Sequence, residues 1–311
     1  MRQPLRLSFS CLQIPGTPRF TSMKTITEEV DALIVTASSP AHAEIIRDGL
    51  DRGLHVLVEK PFTTSISEAE ELVALAQLKG KILMVSQNYR FFPGATLIRD
   101  LVALGKFGDV AAVRAEFWCD WEGKIYQHQM QHVMGLEMAV HHFDLARAMF
   151  DAEPVAGWVR EWRPAGSRFA GGDAIEALFD MAGPQGAFPF AYSGSLVGKA
   201  PRTPWPGHWR IEFDKETVVV DTVEGRYGVY RAHAHGFDWL GRFDDEGMLF
   251  NLPLAHFIEC IISGKEPWSS GRDNLGTLRM ALGAETFSAP RGPPPLLLDP
   301  KSETDPLSRR N

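Results

Sequence analysis

Asp31-Ala-Leu-Ile-Val-Thr-Ala37 is a short apolar run, and two further runs of the same kind follow it, Leu54-His-Val-Leu-Val58 and Lys81-Ile-Leu-Met-Val85. Strands that read as continuous apolar runs are typically buried on both faces, as in a parallel sheet that helices cover. Residues 41–52 and 67–78, which separate the runs, have the pattern of helices. This part of the chain therefore predicts right-handed βαβ units in a parallel sheet.

The pattern changes at about Asp109, where polar and apolar residues begin to alternate. The alternation is seen in Val110-Ala-Ala-Val-Arg-Ala-Glu-Phe117, Trp209-Arg-Ile-Glu-Phe213 and Thr217-Val-Val-Val220. Strands of this kind have one wet face and are typical of antiparallel pairing. The sequence thus predicts an α/β fold in which a parallel sheet precedes a domain with a large, open, mainly antiparallel sheet.

Helices and irregular stretches are also predicted beyond that point. The helices cover about residues 135–150, 252–263 and 274–287. Proline and glycine crowd residues 183–207, which predicts a loop or a mobile hairpin there. The Pro-rich, polar stretch from Pro290 predicts a poorly ordered tail.

Composition and charge narrow the function classes. Among the 311 residues, 32 are Lys or Arg and 39 are Asp or Glu, so the formal net charge is −7. Such a chain offers neither nucleic acid nor a membrane surface a basic patch to bind, and no apolar run approaches the roughly 20 residues that span a bilayer. The three cysteines, Cys11, Cys119 and Cys260, lack metal-binding spacing. We therefore expect a protein of the reducing cytoplasm that binds neither nucleic acid nor a membrane.

Three motifs follow one another in the chain. The first runs from Val30 to Glu59-Lys-Pro61, the second is Gln87-Asn-Tyr-Arg-Phe91, and the third is Glu137-Met-Ala-Val-His-His-Phe-Asp144. Taken in this order, they resemble the glucose-fructose oxidoreductase / inositol dehydrogenase family, called Gfo/Idh/MocA. Glu-Lys-Pro alone is a weak signal, but the ordered set is highly specific. The likeness covers about residues 19–290.

The resemblance implies a domain organisation and a function. It divides the chain into an atypical N-terminal segment (1–18), a partial dinucleotide-binding domain with a truncated Rossmann-like sheet (19–108), a substrate and oligomerisation domain (109–289) and a Pro-rich tail (290–311). It implies an oxidoreductase that uses NAD or NADP, acts on a sugar or polyol-like hydroxyl and forms a homo-oligomer. Two alternatives stay open, namely a non-catalytic sugar-sensing, regulatory or degenerate relative and an NAD-dependent glycosidase.

Lys60 and a polar helix stripe are candidate catalytic groups. Lys60 precedes Pro61, which favours an extended backbone at the strand's carboxyl end, where ligands bind in open α/β sheets. Glu137, His141 and Asp144 are spaced i, i+4, i+7 and would share one face of a helix. The resemblance implies that Lys60, His141 and Glu137 are catalytic, with His141 removing the hydroxyl proton and Lys60 stabilising the developing alkoxide.

The resemblance assigns further residues to the cofactor and the substrate. The predicted cofactor-binding residues are Thr36, Pro40, His42, Glu59, Lys60 and Asn88. Arg90 and Asp144 would bind the substrate, although a structural Arg–acid pair and a satisfied His–Asp network in the core remain alternatives. His142 would point to another face of the helix and be structural.

Two expectations concern motifs that the sequence lacks. Gly16 is the only glycine among the first thirty residues, so a Gly-x-Gly-x-x-Gly turn cannot form there, and we expect NAD(P) binding to be weak or absent in this chain. His128 and His132 have the i, i+4 spacing of zinc ligands and His141 follows nearby, but no HExxH motif accompanies them. No metal site is therefore predicted.

Overall fold

A small parallel sheet comes first along the part of the chain that the structure, a computed structural model, describes. Its strands are β1 (Ala32–Val35), β2 (His55–Glu59) and β3 (Leu83–Ser86), in the order β1-β2-β3. Both pairs of neighbours run in parallel. The predicted parallel sheet is confirmed.

The structure describes residues 30–243 and 251–283, and those beyond Asp31 belong to one compact unit. The predicted N-terminal segment (1–18) and Pro-rich tail (290–311) lie outside the described residues, as does the stretch around Gly16. The domain division at residues 108 and 109 stays a prediction.

Two helices connect the three strands, α1 (His42–Asp51) and α2 (Ile66–Lys79). Both bury apolar side chains that are fully shielded from solvent, among them Ile46 of α1 and Leu72 of α2. Gly80 ends α2 with a φ of 63°, a left-handed conformation that glycine adopts without steric cost. The sequence places both helices within one or two residues of their observed ends.

The second sheet has eight described strands. Its order is β11-β10-β9-β8-β4-β7-β6-β5, and every neighbouring pair is antiparallel except β4 and β7. The predicted large, mainly antiparallel sheet is confirmed. The strands are β4 (Val110–Trp118), β5 (Glu153–Trp162), β6 (Ala174–Gly183), β7 (Gly186–Ser195), β8 (His208–Phe213), β9 (Thr217–Val223), β10 (Arg226–His233) and β11 (Gly236–Phe243).

Of the two alternatives predicted for residues 183–207, a loop or a mobile hairpin, the structure has a hairpin in the first part, because β6 ends at Gly183 and pairs antiparallel with the strand that begins at Gly186. Residues 186–195 form β7, which lies between β4 and β6 in the sheet. A proline cannot donate a hydrogen bond and is rare in central strands. Pro189 is tolerated because β7 pairs with β4 only from Phe190 onwards.

Four more helices complete the described fold: α3 (Pro93–Ala103), α4 (Val140–Phe150), α5 (Asn251–Ser263) and α6 (Gly271–Ala281). No helix of the described residues is both long and apolar enough to cross a membrane. The first five residues of the predicted helix 135–150 wind as a π-helix, Gly135–Ala139, which leads directly into α4. This change of winding matters because it contains Glu137.

Helix α4 packs on one face of the second sheet. Phe143 contacts the rings of Phe179, Phe190 and Tyr192, with ring centroids 5.0–6.3 Å apart. On the other side, α4 contacts α3 and α6. Helix α4 and the π-helical segment before it are therefore held rigidly between the sheet and other helices.

Candidate functional site

Lys60 and Glu137 form the centre of the candidate site. Lys60 follows β2, and its Nζ donates to the backbone oxygen of Glu137 at 2.8 Å and to Glu137 Oε2 at 3.1 Å. The two side chains are 17% and 5% exposed. This contact joins the carboxyl end of the parallel sheet to the π-helical segment.

The π-helical winding gives Glu137 its unusual double contact with Lys60. Glu161 Oε1 accepts from the backbone nitrogen of Gly135 at 2.8 Å, at the start of the segment. Short π-helical turns alter the carbonyl directions of a helix and occur often at functional sites. Here both the carbonyl and the carboxylate of Glu137 reach the same ammonium group.

His141 lies in the first turn of α4, close enough to Lys60 for the ammonium to affect its titration. Its ring stacks on Tyr89, with centroids 4.1 Å apart and planes 13° apart. Burial, followed by the positive charge of Lys60 and by His142, lowers the pKa of His141 well below its ordinary value. The imidazole is therefore neutral at neutral pH and can accept a proton.

Two buried polar atoms of the site have no hydrogen-bond partner among the described residues, Glu137 Oε1 and His141 Nδ1. A buried polar atom without a partner costs about 1–3 kcal/mol, so such atoms are rare and call for an explanation. Both atoms belong to residues that interact with the Lys60 ammonium. A hydroxyl can donate and accept, so a hydroxyl-bearing ligand would satisfy either atom.

His142 has a different environment from its neighbour. Its ring nitrogens lie 2.8 Å from the Tyr192 hydroxyl and 3.0 Å from the Trp205 carbonyl oxygen. Burial lowers the pKa of His142 to about 4. The residue is fully buried, on another side of α4 as the sequence predicts, and both nitrogens are engaged in packing the helix.

Arg90 and Asp144 form a buried ion pair with each other. Arg90 Nε and Nη2 donate to the two Asp144 oxygens at 2.7 Å each, and the side chains are 1% and 0% exposed. Thr277 Oγ1 also donates to Asp144, at 2.8 Å, and Asp273 lies 2.5 Å from Arg90 Nη2. This geometry supports the structural alternative for both residues over the predicted contact with substrate.

The predicted cofactor residues lie at or just after the carboxyl ends of the three parallel strands. Thr36 and Pro40 are exposed after β1, Glu59 ends β2, and Asn88 is buried in a short 3-10 turn after β3. Burial raises the pKa of Glu59, against the opposing effects of Lys60 and a hydrogen bond to Ser86. This edge of a parallel sheet is where dinucleotides bind in α/β folds.

His42, one of the predicted cofactor residues, connects two loops of the site. Its Nδ1 lies 2.8 Å from the Pro61 carbonyl oxygen and its Nε2 lies 3.0 Å from that of Ala37. The ring is 1% exposed. His42 therefore ties the chain after β1 to the chain after β2, next to Lys60, rather than offering a free ring nitrogen to a ligand.

The described residues fit the nicotinamide end of a dinucleotide better than its pyrophosphate. The unpartnered polar atoms beside Lys60 suit a hydroxyl-bearing substrate next to a nicotinamide. By contrast, the connections that follow β1, β2 and β3 contain no glycine-rich turn that could present backbone N–H groups to a pyrophosphate. Within the described ranges, no cluster of three His, Cys, Asp or Glu side chains could hold a metal ion.

Tyr89 is a site residue that the sequence analysis did not single out. It belongs to the 3-10 turn Asn88–Phe91 and is 4% exposed. It lies between the predicted residues Asn88 and Arg90. Its position inside the motif Gln87-Asn-Tyr-Arg-Phe91 is the one feature of the sequence that could have identified it as a site residue. Its ring forms one wall against His141.

Comparison with known proteins gives the family and the fold that this chain resembles. Residues 9–87 match the model of an oxidoreductase family described as having an NAD-binding Rossmann fold. The uncharacterized protein y4oX of Sinorhizobium fredii is 28% identical over 66% of this chain and 58% of its own length. The D-apiose dehydrogenase of Paraburkholderia graminis is 24% identical over 81% of this chain and 69% of its own length. The chain thus spans less than two thirds of the y4oX protein.

Solved structures share the fold. An oxidoreductase from Agrobacterium radiobacter, in complex with NAD+, L-tartaric acid and magnesium, superposes with a TM-score of 0.71 at 19% identity, covering 82% of this chain and 77% of its own. An aldose-aldose oxidoreductase from Caulobacter crescentus, complexed with glycerol, superposes with a TM-score of 0.68 at 22% identity, covering 82% and 76%. At these identities the likeness concerns the fold alone.

Proposed function

We propose that this chain, which belongs to the Gfo/Idh/MocA family of NAD-binding oxidoreductases, oxidises a hydroxyl of a sugar or polyol with NAD or NADP. The observation that supports this most directly is the meeting of Lys60, Glu137 and His141 at the carboxyl edge of the parallel sheet. A cation, a neutral base and an unpartnered carboxylate oxygen are together complementary to an alcohol that loses a proton.

Each of the three residues has a distinct part in the proposed reaction. His141 is neutral because burial disfavours its charged form, so it accepts the hydroxyl proton as general base. An ammonium has three donors, and Lys60 uses two on Glu137. The third donates to the substrate oxygen and stabilises the negative charge that develops there. Glu137 holds Lys60 in place.

A bound nicotinamide dinucleotide would supply the hydride acceptor. The residues that we propose to surround it are five of those predicted from the sequence, Thr36, Pro40, Glu59, Lys60 and Asn88, whereas the buried His42 supports the two loops that carry them. The expectation of weak binding stays a prediction, which calorimetric titration of the protein with NAD+ and NADP+ checks. A dissociation constant in the micromolar range would contradict it.

Turnover measurements test the proposal. Wild-type protein is assayed with NAD+ or NADP+ and a panel of sugars and polyols, following reduced nicotinamide by absorbance. Lys60→Ala and His141→Ala should each lower kcat by about 100-fold or more, because each removes proton transfer or charge stabilisation. His142→Ala should have a smaller effect. Equal losses for the two histidine variants would overturn the assignment of His141 as the base.

The same assays separate the alternative functions. A glycosidase would release the alcohol from aryl glycosides and would not accumulate reduced cofactor. A sensor would bind a sugar without turnover by the wild-type protein. Chelation with EDTA should leave the oxidation rate unchanged, and a loss that zinc restores would contradict the metal-free mechanism.

A further inference from the structure

Glu161, on β5, holds the start of the helical segment that carries Glu137. Its side chain is 7% exposed, and its two oxygens have different partners. Oε1 accepts from the backbone nitrogen of Gly135 at 2.8 Å, and Oε2 lies 2.5 Å from His132 Nδ1. Because an ionised carboxylate only accepts hydrogen bonds, the imidazole donates through Nδ1. One largely buried carboxylate thus joins two residues at the beginning of this segment.

The backbone around Gly135 explains why a side chain is needed there. In an α-helix the nitrogen of this residue would donate to the carbonyl oxygen of Gln131, four residues back. That oxygen instead accepts from the nitrogen of Gly172, at 2.8 Å. Gly135 is buried, and a buried backbone N–H needs a partner. Glu161 therefore supplies the acceptor that the helix itself does not.

The same glycine begins the change of winding. The nitrogen of Val140 donates to the carbonyl oxygen of Gly135, five residues back, which is a π-type bond. Gly135 is thus held at its nitrogen by Glu161 and at its carbonyl by the first residue of α4. A Cβ at this position would collide with Glu161 Oε1 and with the carbonyl oxygen of Ala281, so the close approach requires glycine.

The segment between these two bonds presents Glu137 to Lys60. Both the carbonyl oxygen and Oε2 of Glu137 accept from Lys60 Nζ, at 2.8 and 3.1 Å. A change of winding by one residue would turn both groups away, because each residue of a helix rotates the chain by about 100°. We propose that Glu161 is a positioning residue for the candidate site, which acts through Gly135 and Glu137 on the Lys60 ammonium. The inference rests on the proposed function, in which Lys60 stabilises the alkoxide.

Substitutions of Glu161 test the inference because they separate its hydrogen bonds from its charge. Glu161→Gln keeps an oxygen for the Gly135 nitrogen, and its amide can donate to His132 Nδ1 once the imidazole proton moves to Nε2. Glu161→Ala removes both bonds. It should lower kcat by about 10-fold or more with a smaller change in KM, since a misplacement of about 1 Å can cost about 100-fold. Glu161→Gln should stay within about threefold of the wild-type rate, because it keeps the geometry.

The Lys60 side chain provides a readout that needs no turnover. Protein labelled with carbon-13 at lysine Cε is measured by NMR, and the Lys60 resonance is assigned from its loss in Lys60→Arg. Glu161→Ala should shift this resonance in the same direction as Glu137→Gln, because both substitutions disturb the contacts of the ammonium. Glu161→Gln should leave it at the wild-type position.

Glu153→Ala is the matched control, because Glu153 also lies on β5 and its carboxylate also ties this strand to α4. Its oxygens accept from Nε and Nη2 of Arg147, at 2.8 and 2.5 Å, far along the helix from Gly135. The control should change neither kcat nor the Lys60 resonance. Urea unfolding establishes that each variant is folded in the assay. Glu161→Asp, whose side chain is too short to reach both partners, replaces Glu161→Ala if that variant does not fold.

Two results would overturn the inference. One is a Lys60 resonance that stays at the wild-type position in Glu161→Ala, and the other is an equal shift in Glu153→Ala. The proposed function fails separately. A wild-type protein without turnover would contradict it, whereas a Lys60 resonance that moves in Glu161→Ala alone would still support the chain of contacts from Glu161 to Lys60.

Discussion

His141 and His142 are adjacent and both buried, yet their rings meet different surroundings. Each has its pKa lowered, in both cases mainly by burial. The nitrogens of His142 lie at hydrogen-bonding distance from Tyr192 and Trp205, while Nδ1 of His141 has no partner among the described residues. Neighbouring side chains on a helix point about 100° apart. This difference in direction makes His142 a packing residue and leaves His141 as the candidate base.

The lowered pKa of His142 predicts an acid-sensitive stability. Its folded pKa of about 4 lies below the ordinary value of about 6.5, so the unfolded chain binds the proton first. This group costs no stability above about pH 6.5; as the pH falls below that value the folded state loses stability relative to the unfolded chain, and the loss reaches about 3 kcal/mol at pH 4. Urea unfolding of wild type and His142→Asn should show their difference narrowing by about 2 kcal/mol from pH 7.5 to 5. Parallel pH curves would contradict this.

Regular elements of this fold could be predicted because they obey local rules. The apolar runs become β1 to β3, and the alternating stretches become strands of the second sheet. The π-helical segment Gly135–Ala139 could not be predicted, because it depends on Glu161 and Lys60, which come from distant parts of the chain. The interior position of β7 could not be predicted for a related reason: a hairpin was one of the two alternatives for this stretch, but the pairing of β7 with β4 on its other side depends on a distant strand that overrides its proline and glycine content.

The same distinction applies to the candidate site. Spacing on an α-helix put Glu137, His141 and Asp144 on one stripe, but only the first two interact with Lys60. Asp144 turns to Arg90 instead. Tyr89 reaches the site from a connecting segment, whose path is set by tertiary contacts that no periodicity records. The catalytic and binding roles themselves stay predictions.

The Arg90–Asp144 pair connects three elements, and its removal should destabilise the protein rather than alter substrate binding. It joins the turn after β3 to α4, and through Thr277 and Asp273 to α6. Breaking a buried pair leaves an uncompensated charge, at a cost of about 3–5 kcal/mol. Asp144→Asn should lower the free energy of unfolding by about that amount, measured in urea. Its KM, measured well below the melting temperature, should stay within about twofold of wild type.

A rise of tenfold or more in KM for Asp144→Asn, with unchanged stability, would instead restore the predicted role in substrate binding. Asp180→Asn is a suitable control, because Asp180 is an exposed acid on β6. Its replacement should change neither quantity, as is usual for surface substitutions.

At the scale of the whole molecule, no helix of the described residues covers one face of the second sheet at β5 and β6. Trp158 and Leu178 are directly opposite each other on these strands, and they are 40% and 49% exposed. Leu178 is also opposite Ala191 of β7, which extends the apolar strip across three strands. Contiguous exposed apolar surface is typical of an interface.

We expect this face to join two copies of the chain, since a two-fold dimer buries the same patch of both subunits. Leu178→Lys places two ammonium groups in that interface, and burying unpaired charges costs far more than the apolar contact contributes. Light scattering at micromolar concentration should therefore give an oligomeric mass for wild type and a monomeric mass for Leu178→Lys. Ile262→Lys is the control, because Ile262 is 82% exposed on α5, away from this sheet, and it should leave the mass unchanged. A wild-type chain that is strictly monomeric, or a Leu178→Lys variant that keeps the oligomeric mass, would show that the copies do not meet at β5 and β6.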